Sequence, residues 1–127
     1  MDAGILTTPS AHGFDQTLSR LIAAISGRQL TIFAVIDHSD GAEIAGLELG
    51  PATLIIFGNA KGGTPLMQKN RRAGLDLPLK VLVWQDESGV FLTANDPRWI
   101  ATRHGLDPEA AGGLAAVLEA LTQAAAH

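Results

Sequence analysis

Phe14, Leu18, Leu21, Ile22 and Ile25 recur three and four positions apart, so they share one side of a helix that runs to Gly27 and buries that face. Leu114, Val117, Leu118 and Leu121 repeat the stripe and predict a terminal helix, weakened at its start by Gly112-Gly113. Between the two stripes the period shortens to that of strands. Residues 30 to 36 are β-branched and apolar on both sides, the pattern of an interior strand. Further strands are predicted over 52 to 57, 79 to 84 and 90 to 94, with a short one over 5 to 8. Asp86-Glu87-Ser88-Gly89 has the length and composition of a hairpin loop, which requires at least one antiparallel pair.

Short helices interrupt the series. Asp40 followed by Glu43 resembles a capping box for a helix through Leu47. Thr64-Pro65 supplies a cap and first residue for a helix that would stop between Ala73 and Gly74, and Asp96-Pro97 and Asp107-Pro108 repeat that signal. The long elements therefore read strand, helix, four strands, helix. This order predicts one α+β domain over residues 1–127, a curved and mainly antiparallel sheet with helices on one face. The competing architecture is a doubly wound parallel sheet, because Ile32, Leu54 and Leu82 sit in runs apolar on both faces.

Composition narrows the class. Apolar residues make up 46% and charged residues 17%, too hydrophobic for disorder and too interrupted by Gly, Pro and charge for a membrane span. Asp2, Thr7, Thr8 and Pro9 come where a secretory leader would need a basic then apolar run, so a cytoplasmic location is expected. The absence of Cys excludes disulfides and thiolate chemistry and leaves only His, Asp and Glu as metal ligands. A net charge of −4 disfavours nucleic acid as a partner. The charge is uneven, however. Lys61, Lys69, Arg71, Arg72 and Lys80 are opposed only by Asp76, a local +4 that, against the total of −4, leaves −8 elsewhere.

The basic segment starts in the stretch most suggestive of chemistry. Gly58-Asn59-Ala60-Lys61-Gly62-Gly63-Thr64 follows a strand and opens a helix, where free backbone amides and the helix dipole both favour an anion. It has neither the Gly-Lys-Ser/Thr ending of a phosphate loop nor the Gly-x-Gly-x-x-Gly spacing of a dinucleotide fold. The bland alternative is a tight turn with Thr64 as a cap. His38, after Asp37 at a strand end, is the candidate titratable group, as a general base or a metal ligand oriented by Asp37 or Asp40. At a strand end before a short helix, however, a histidine is more often a surface or hydrogen-bonding residue. His104 before Gly105 reads as a cation at a helix C-terminus, and Trp84, Trp99 and Ile100 as core. Asn95 and Asp96 would reach the rim of the glycine loop, although Asp96 is first an N-cap. No catalytic triad, metal motif or cofactor motif assembles from these residues.

Three blocks, GNAKGGTPLM at 58 to 67, LDLPLKVLVW at 75 to 84 and NDPRWIATRHGL at 95 to 106, resemble the prokaryotic domain-of-unknown-function family 302. The resemblance covers the first helix through about residue 106 and implies an α+β fold and a homodimer, with no assigned activity. The positions that match the family pattern are His38, Gly58, Asn59, Lys61, Gly63, Thr64, Leu77, Pro78, Asn95, Asp96 and Pro97. Ala60 and Ala94 depart from it, where proline and an aromatic residue are usual.

Three functions are compatible with this reading. The first is a non-enzymatic homodimeric module that binds a small anionic ligand or acidic partner through Gly58, Asn59, Lys61, Gly63, Thr64, Asn95 and Asp96. The second is an enzyme whose cleft joins His38 to Asn59 and Asn95. In the third, the loop and basic helix are themselves the dimer contact, with Leu66, Met67 and Arg71 buried between chains.

Overall fold

Alternation along the central strands decides which face of the sheet is covered. The computed structural model describes residues 3–127. Five strands, β1 (Ile5–Pro9), β2 (Thr31–Asp37), β3 (Ala52–Gly58), β4 (Leu79–Asp86) and β5 (Gly89–Asn95), form one sheet in the order β1-β5-β4-β3-β2. Every neighbouring pair is antiparallel, which rules out the doubly wound alternative. Thr53, Ile55 and Phe57 of β3, Leu79, Val81 and Val83 of β4, and Val90, Leu92 and Ala94 of β5 all point to one face and are buried.

That face is covered by the two long helices the stripes predicted, α1 (Phe14–Gly27) and α5 (Gly112–Ala126). Leu21 and Ile25 of α1 and Leu118 and Leu121 of α5 meet the strand residues in one core. Each such side chain contributes about 1.5–3 kcal/mol by leaving water. Polar bonds fix the pair: the Arg20 guanidinium donates to the Ala124 carbonyl at 2.9 Å, and the buried Thr17 hydroxyl bonds Gly13 O at 2.8 Å and Ser10 Oγ at 2.7 Å.

Three shorter helices complete the series: α2 (His38–Ile44), α3 (Ala60–Lys69) and α4 (Pro97–Arg103). Their bounds correct several sequence expectations. α2 is capped by Asp37, whose carboxylate accepts from the Asp40 amide at 2.9 Å, so Asp40 lies inside the helix instead of before it. The basic segment is not one helix to Ala73. It breaks at Asn70, whose side-chain amide donates to His104 O at 2.9 Å while its Oδ1 accepts from Arg72 N at 3.0 Å, and continues as a 3-10 helix, Arg71–Leu75. Asp96 and Asp107 cap as expected, although the turn after Asp107 is 3-10 (Pro108–Ala111) before α5 begins.

Two placements differ more consequentially. β2 is an edge strand, not an interior one, and it carries a bulge between Ile32 and Ala34. Trp84 lies on the uncovered face of the sheet, stacked on Phe91 with centroids 4.8 Å apart, instead of in the core; Ile100 is buried as expected.

Candidate ligand-binding site

Asn59, not Thr64, opens the helix that follows β3. Its extended backbone (φ −149°) leaves the strand, its Oδ1 accepts from the Gly62 amide at 2.9 Å, and its carbonyl accepts from Gly62 and Gly63 at 3.2 and 3.3 Å. An asparagine already in place captures the first turn, so Thr64 and Pro65 fall in the interior of α3. The Thr64 amide therefore belongs to the helix's own bonding pattern and is not offered to a ligand. By propensity α3 is a poor helix, with two glycines at about 1 kcal/mol each and an interior proline at about 3. Packing offsets this. Leu66 is buried among Ala73, Ala101 and Ala111, and a Cβ on Gly62 would stand 2.9 Å from Leu114 Cδ2, so glycine there lets α3 close on α5.

The free donors are consequently those of the first turn alone. Among the described residues, the amides of Ala60 and Lys61 make no hydrogen bond. Both residues line a cavity of about 620 Å³. Gly58, Asn59, Lys61, Gly63 and Thr64 all line it, which brings together five of the residues proposed from the sequence. The rest of the wall is apolar: Leu30 just before β2, Phe33 and Phe57 from β2 and β3, Met67 from α3, Leu77, and Leu114 and Val117 from α5. Among the described residues, Lys61 is the cavity's one cationic lining residue. Sequence reasoning missed this apolar wall. Its members are scattered over four elements, and only the bulge at Phe33 aims that edge-strand side chain at the glycine loop.

Asn95 and Asp96 do not join this cavity. Asn95 pairs with Ile5 across the β1–β5 ladder. Asp96 caps α4, accepting from the Arg98 amide at 3.0 Å, and lines a separate cleft of about 340 Å³ with Thr7, Arg98 and Gln123. His38 lies further away. Asp37 sits opposite Thr53 and Thr31 opposite Gly58, so His38 and Asn59 are at opposite ends of β3, about 20 Å apart along a strand of seven residues. The cleft expected to join His38, Asn59 and Asn95 is not formed. Nor does Asp37 orient His38; its carboxylate is taken by the Ser39 hydroxyl at 2.7 Å and by the α2 cap. The Ser39 bond, then the Asp40 amide, holds the Asp37 carboxyl below the usual range. Among the described residues no cluster of three or more His, Asp or Glu is arranged to hold a metal ion.

A polar strut that the sequence did not reveal joins the end of the 3-10 helix to the end of α4. Asp76, just past the 3-10 helix, accepts two bonds from Arg103 Nη1, at 2.9 and 3.0 Å, and one from His104 Nε2 at 2.7 Å. His104 does stand at the α4 C-terminus, but it is buried on a carboxylate instead of displayed as a surface cation.

A family model described as "Domain of unknown function DUF302" matches residues 6–126. The chain belongs to the DUF302 family. A crystal structure of an uncharacterized conserved DUF302 protein from Bacillus stearothermophilus superposes with a TM-score of 0.86, covering 96% of this chain and 98% of that one at 17% identity. The two share the fold. Among curated proteins, the "Fluoride-specific ion channel FluC 1" of Brucella suis biovar 1 (strain 1330) is 48% identical over 107 residues, 84% of this chain and 42% of that protein. The FluC 1 of Brucella abortus biovar 1 (strain 9-941) matches at the same identity over 40% of its length. The DUF302 chain thus spans about two fifths of the Brucella proteins it matches. No helix among its described residues is long and apolar enough to cross a membrane.

Proposed function

We propose that this DUF302 chain is a non-enzymatic, cytoplasmic, homodimeric binding module that holds a small anion with an apolar body in the cavity beside the first turn of α3. One observation carries the reading: a largely apolar cavity of about 620 Å³ is lined by two consecutive residues with unpaired amides, Ala60 and Lys61, of which Lys61 also brings the one ammonium among the described lining residues. An inorganic anion would meet the donors and leave the apolar wall unused. A neutral hydrophobe would fill the wall and leave the donors to water. A medium-chain aliphatic carboxylate satisfies both, with its tail against Phe33, Leu114 and Val117 and its head at Lys61. The name borne by the Brucella relatives supports an anion as the class of ligand, and makes fluoride the control to include.

Calorimetric titration with sodium decanoate, 1-decanol, phosphate, sulfate and fluoride tests this. Decanoate is expected to bind best. Lys61→Ala should weaken decanoate about fivefold, the effect of one solvent-facing charge contact of about 1 kcal/mol, while leaving decanol unchanged. Phe33→Ala should weaken both. Failure of all five probes at millimolar concentration would refute the proposal.

A further inference from the structure

The helices cover one face of the sheet, and the opposite face is also apolar. Ile36, Leu54, Ile56, Leu82, Trp84 and Phe91 share it, in rows set by the register Ile36–Leu54–Leu82 and Trp84–Phe91. The polar groups nearest its centre already have partners within the chain. Trp84 Nε1 donates to Thr93 Oγ1 at 2.8 Å, Thr93 bonds Thr7 at 3.0 Å, and Lys80 turns its ammonium back to the Pro78 carbonyl at 3.1 Å. The centre of this face, around Leu54, Leu82, Trp84 and Phe91, therefore presents no unpaired polar side chain.

Beside it stands an arm. Residues 38 to 51, α2 and the loop into β3, contain no buried side chain, and Ile44, Leu47 and Leu49 are 81%, 67% and 54% exposed. An isolated exposed leucine is ordinary, whereas three large aliphatics exposed on one short segment, joining the two strands β2 and β3 of an uncovered apolar sheet, call for a partner.

We propose that this face and the 38 to 51 arm are the interface with a second copy of the chain, related by a two-fold axis. The proposal rests on the homodimeric part of the function proposed above. It does not depend on the cavity, which opens among the helices on the other side. Three points favour a second copy. An apolar surface with no exposed charge at its centre is its own complement, as an isologous contact requires. Five strands of about seven residues, at ~4.8 Å spacing and ~3.3 Å rise, present a face of about 550 Å². Two such faces fall just short of the ~1,200 Å² at which stable interfaces begin, and the arms, with three side chains of about 100 Å² on each copy, carry the total well into the standard range. Lastly, Ile36 carries the apolar open face out onto the edge strand β2, where it is 41% exposed in the single chain and would be covered in the assembly.

The test is sedimentation equilibrium of the 127-residue chain, with Ile44→Asp/Leu47→Asp and, separately, Leu82→Lys. The wild type is expected at twice 13.2 kDa. Each variant should raise the dimer dissociation constant at least 30-fold, and in a Trp99→Phe background dissociation should shift Trp84 emission to the red. The arm substitutions fall on side chains the monomer leaves in solvent, so circular dichroism should be unchanged even if Leu82→Lys fails to fold. A dimer indifferent to the arm substitutions overturns this interface and leaves the homodimer standing. A monomer at 100 μM overturns both, and points to a segment of a longer polypeptide as the occupant of the face.

Discussion

Replacing Asp76 by alanine should destabilise the protein by about 2–3 kcal/mol, and the larger part of that should come through His104 and the smaller through Arg103. The Asp76 carboxylate is only 13% exposed and holds both partners. Arg103 is 45% exposed, so once released its guanidinium is hydrated again, and that pair is worth about 0.5–1 kcal/mol. The His104 side chain is 4% exposed, and loss of its acceptor leaves a ring N–H buried and unsatisfied, a penalty of about 1–3 kcal/mol. For a chain of this size the sum lowers the melting temperature by about 8–12 °C. Urea denaturation of Asp76→Ala, Arg103→Ala and the double variant separates the two parts. Arg103→Ala should cost under 1 kcal/mol, and the double variant should match Asp76→Ala. If Asp76→Ala costs less than 1 kcal/mol, or Arg103→Ala costs as much as Asp76→Ala, the strut does not work through the buried histidine.

Gly4→Ala should cost about 2–4 kcal/mol in the same assay, because φ is +74° and a Cβ would lie 2.3–2.7 Å from three atoms of the Trp99 ring. Gly46→Ala is its control: φ is +78° with nothing within 4 Å, so only the backbone penalty of about 1–2 kcal/mol should appear. Equal costs would show that the Trp99 contact contributes nothing. Ser39→Ala should raise the Asp37 carboxyl toward its ordinary range, since the Ser39 hydroxyl is the largest influence holding it down. The sign follows from the depressed folded value: Asp37's contribution to stability is present above the unfolded carboxylate pKa and fades as pH falls through the lower folded one. In the variant that contribution should be smaller and its loss complete at a higher pH, and carboxyl NMR titration reads the raised folded value directly; an unmoved Asp37 would contradict the assignment.

Where the sequence was legible, one periodicity had one physical cause. The α1 and α5 stripes, the hairpin at Glu87-Ser88 and the order of long elements all follow from local pattern, and all are present in the structure. β2 was misplaced because a doubly apolar strand is ordinarily interior, while here it is an edge whose open-face residues continue an apolar surface. The start of α3 was missed by competition between caps. Thr64-Pro65 is a good signal, but Asn59 comes first in the chain, and the packing of Gly62 against Leu114, invisible from local sequence, makes the glycine-rich turn helical. His104 and Asp76 are 28 positions apart, so their bond follows only from the docking of α4 beside the 3-10 turn. The glycine loop itself was found because its residues are contiguous; its apolar wall comes from separate elements and was not.

The most direct test of the account is an NMR titration of the isotopically labelled chain with sodium decanoate. The account predicts saturable shifts of the Ala60 and Lys61 amides together with the methyls of Leu114 and Val117, all fitting one dissociation constant. Shifts confined to exposed aliphatics such as Ile44 and Leu47, or no saturable shift at the α3 turn, would contradict it.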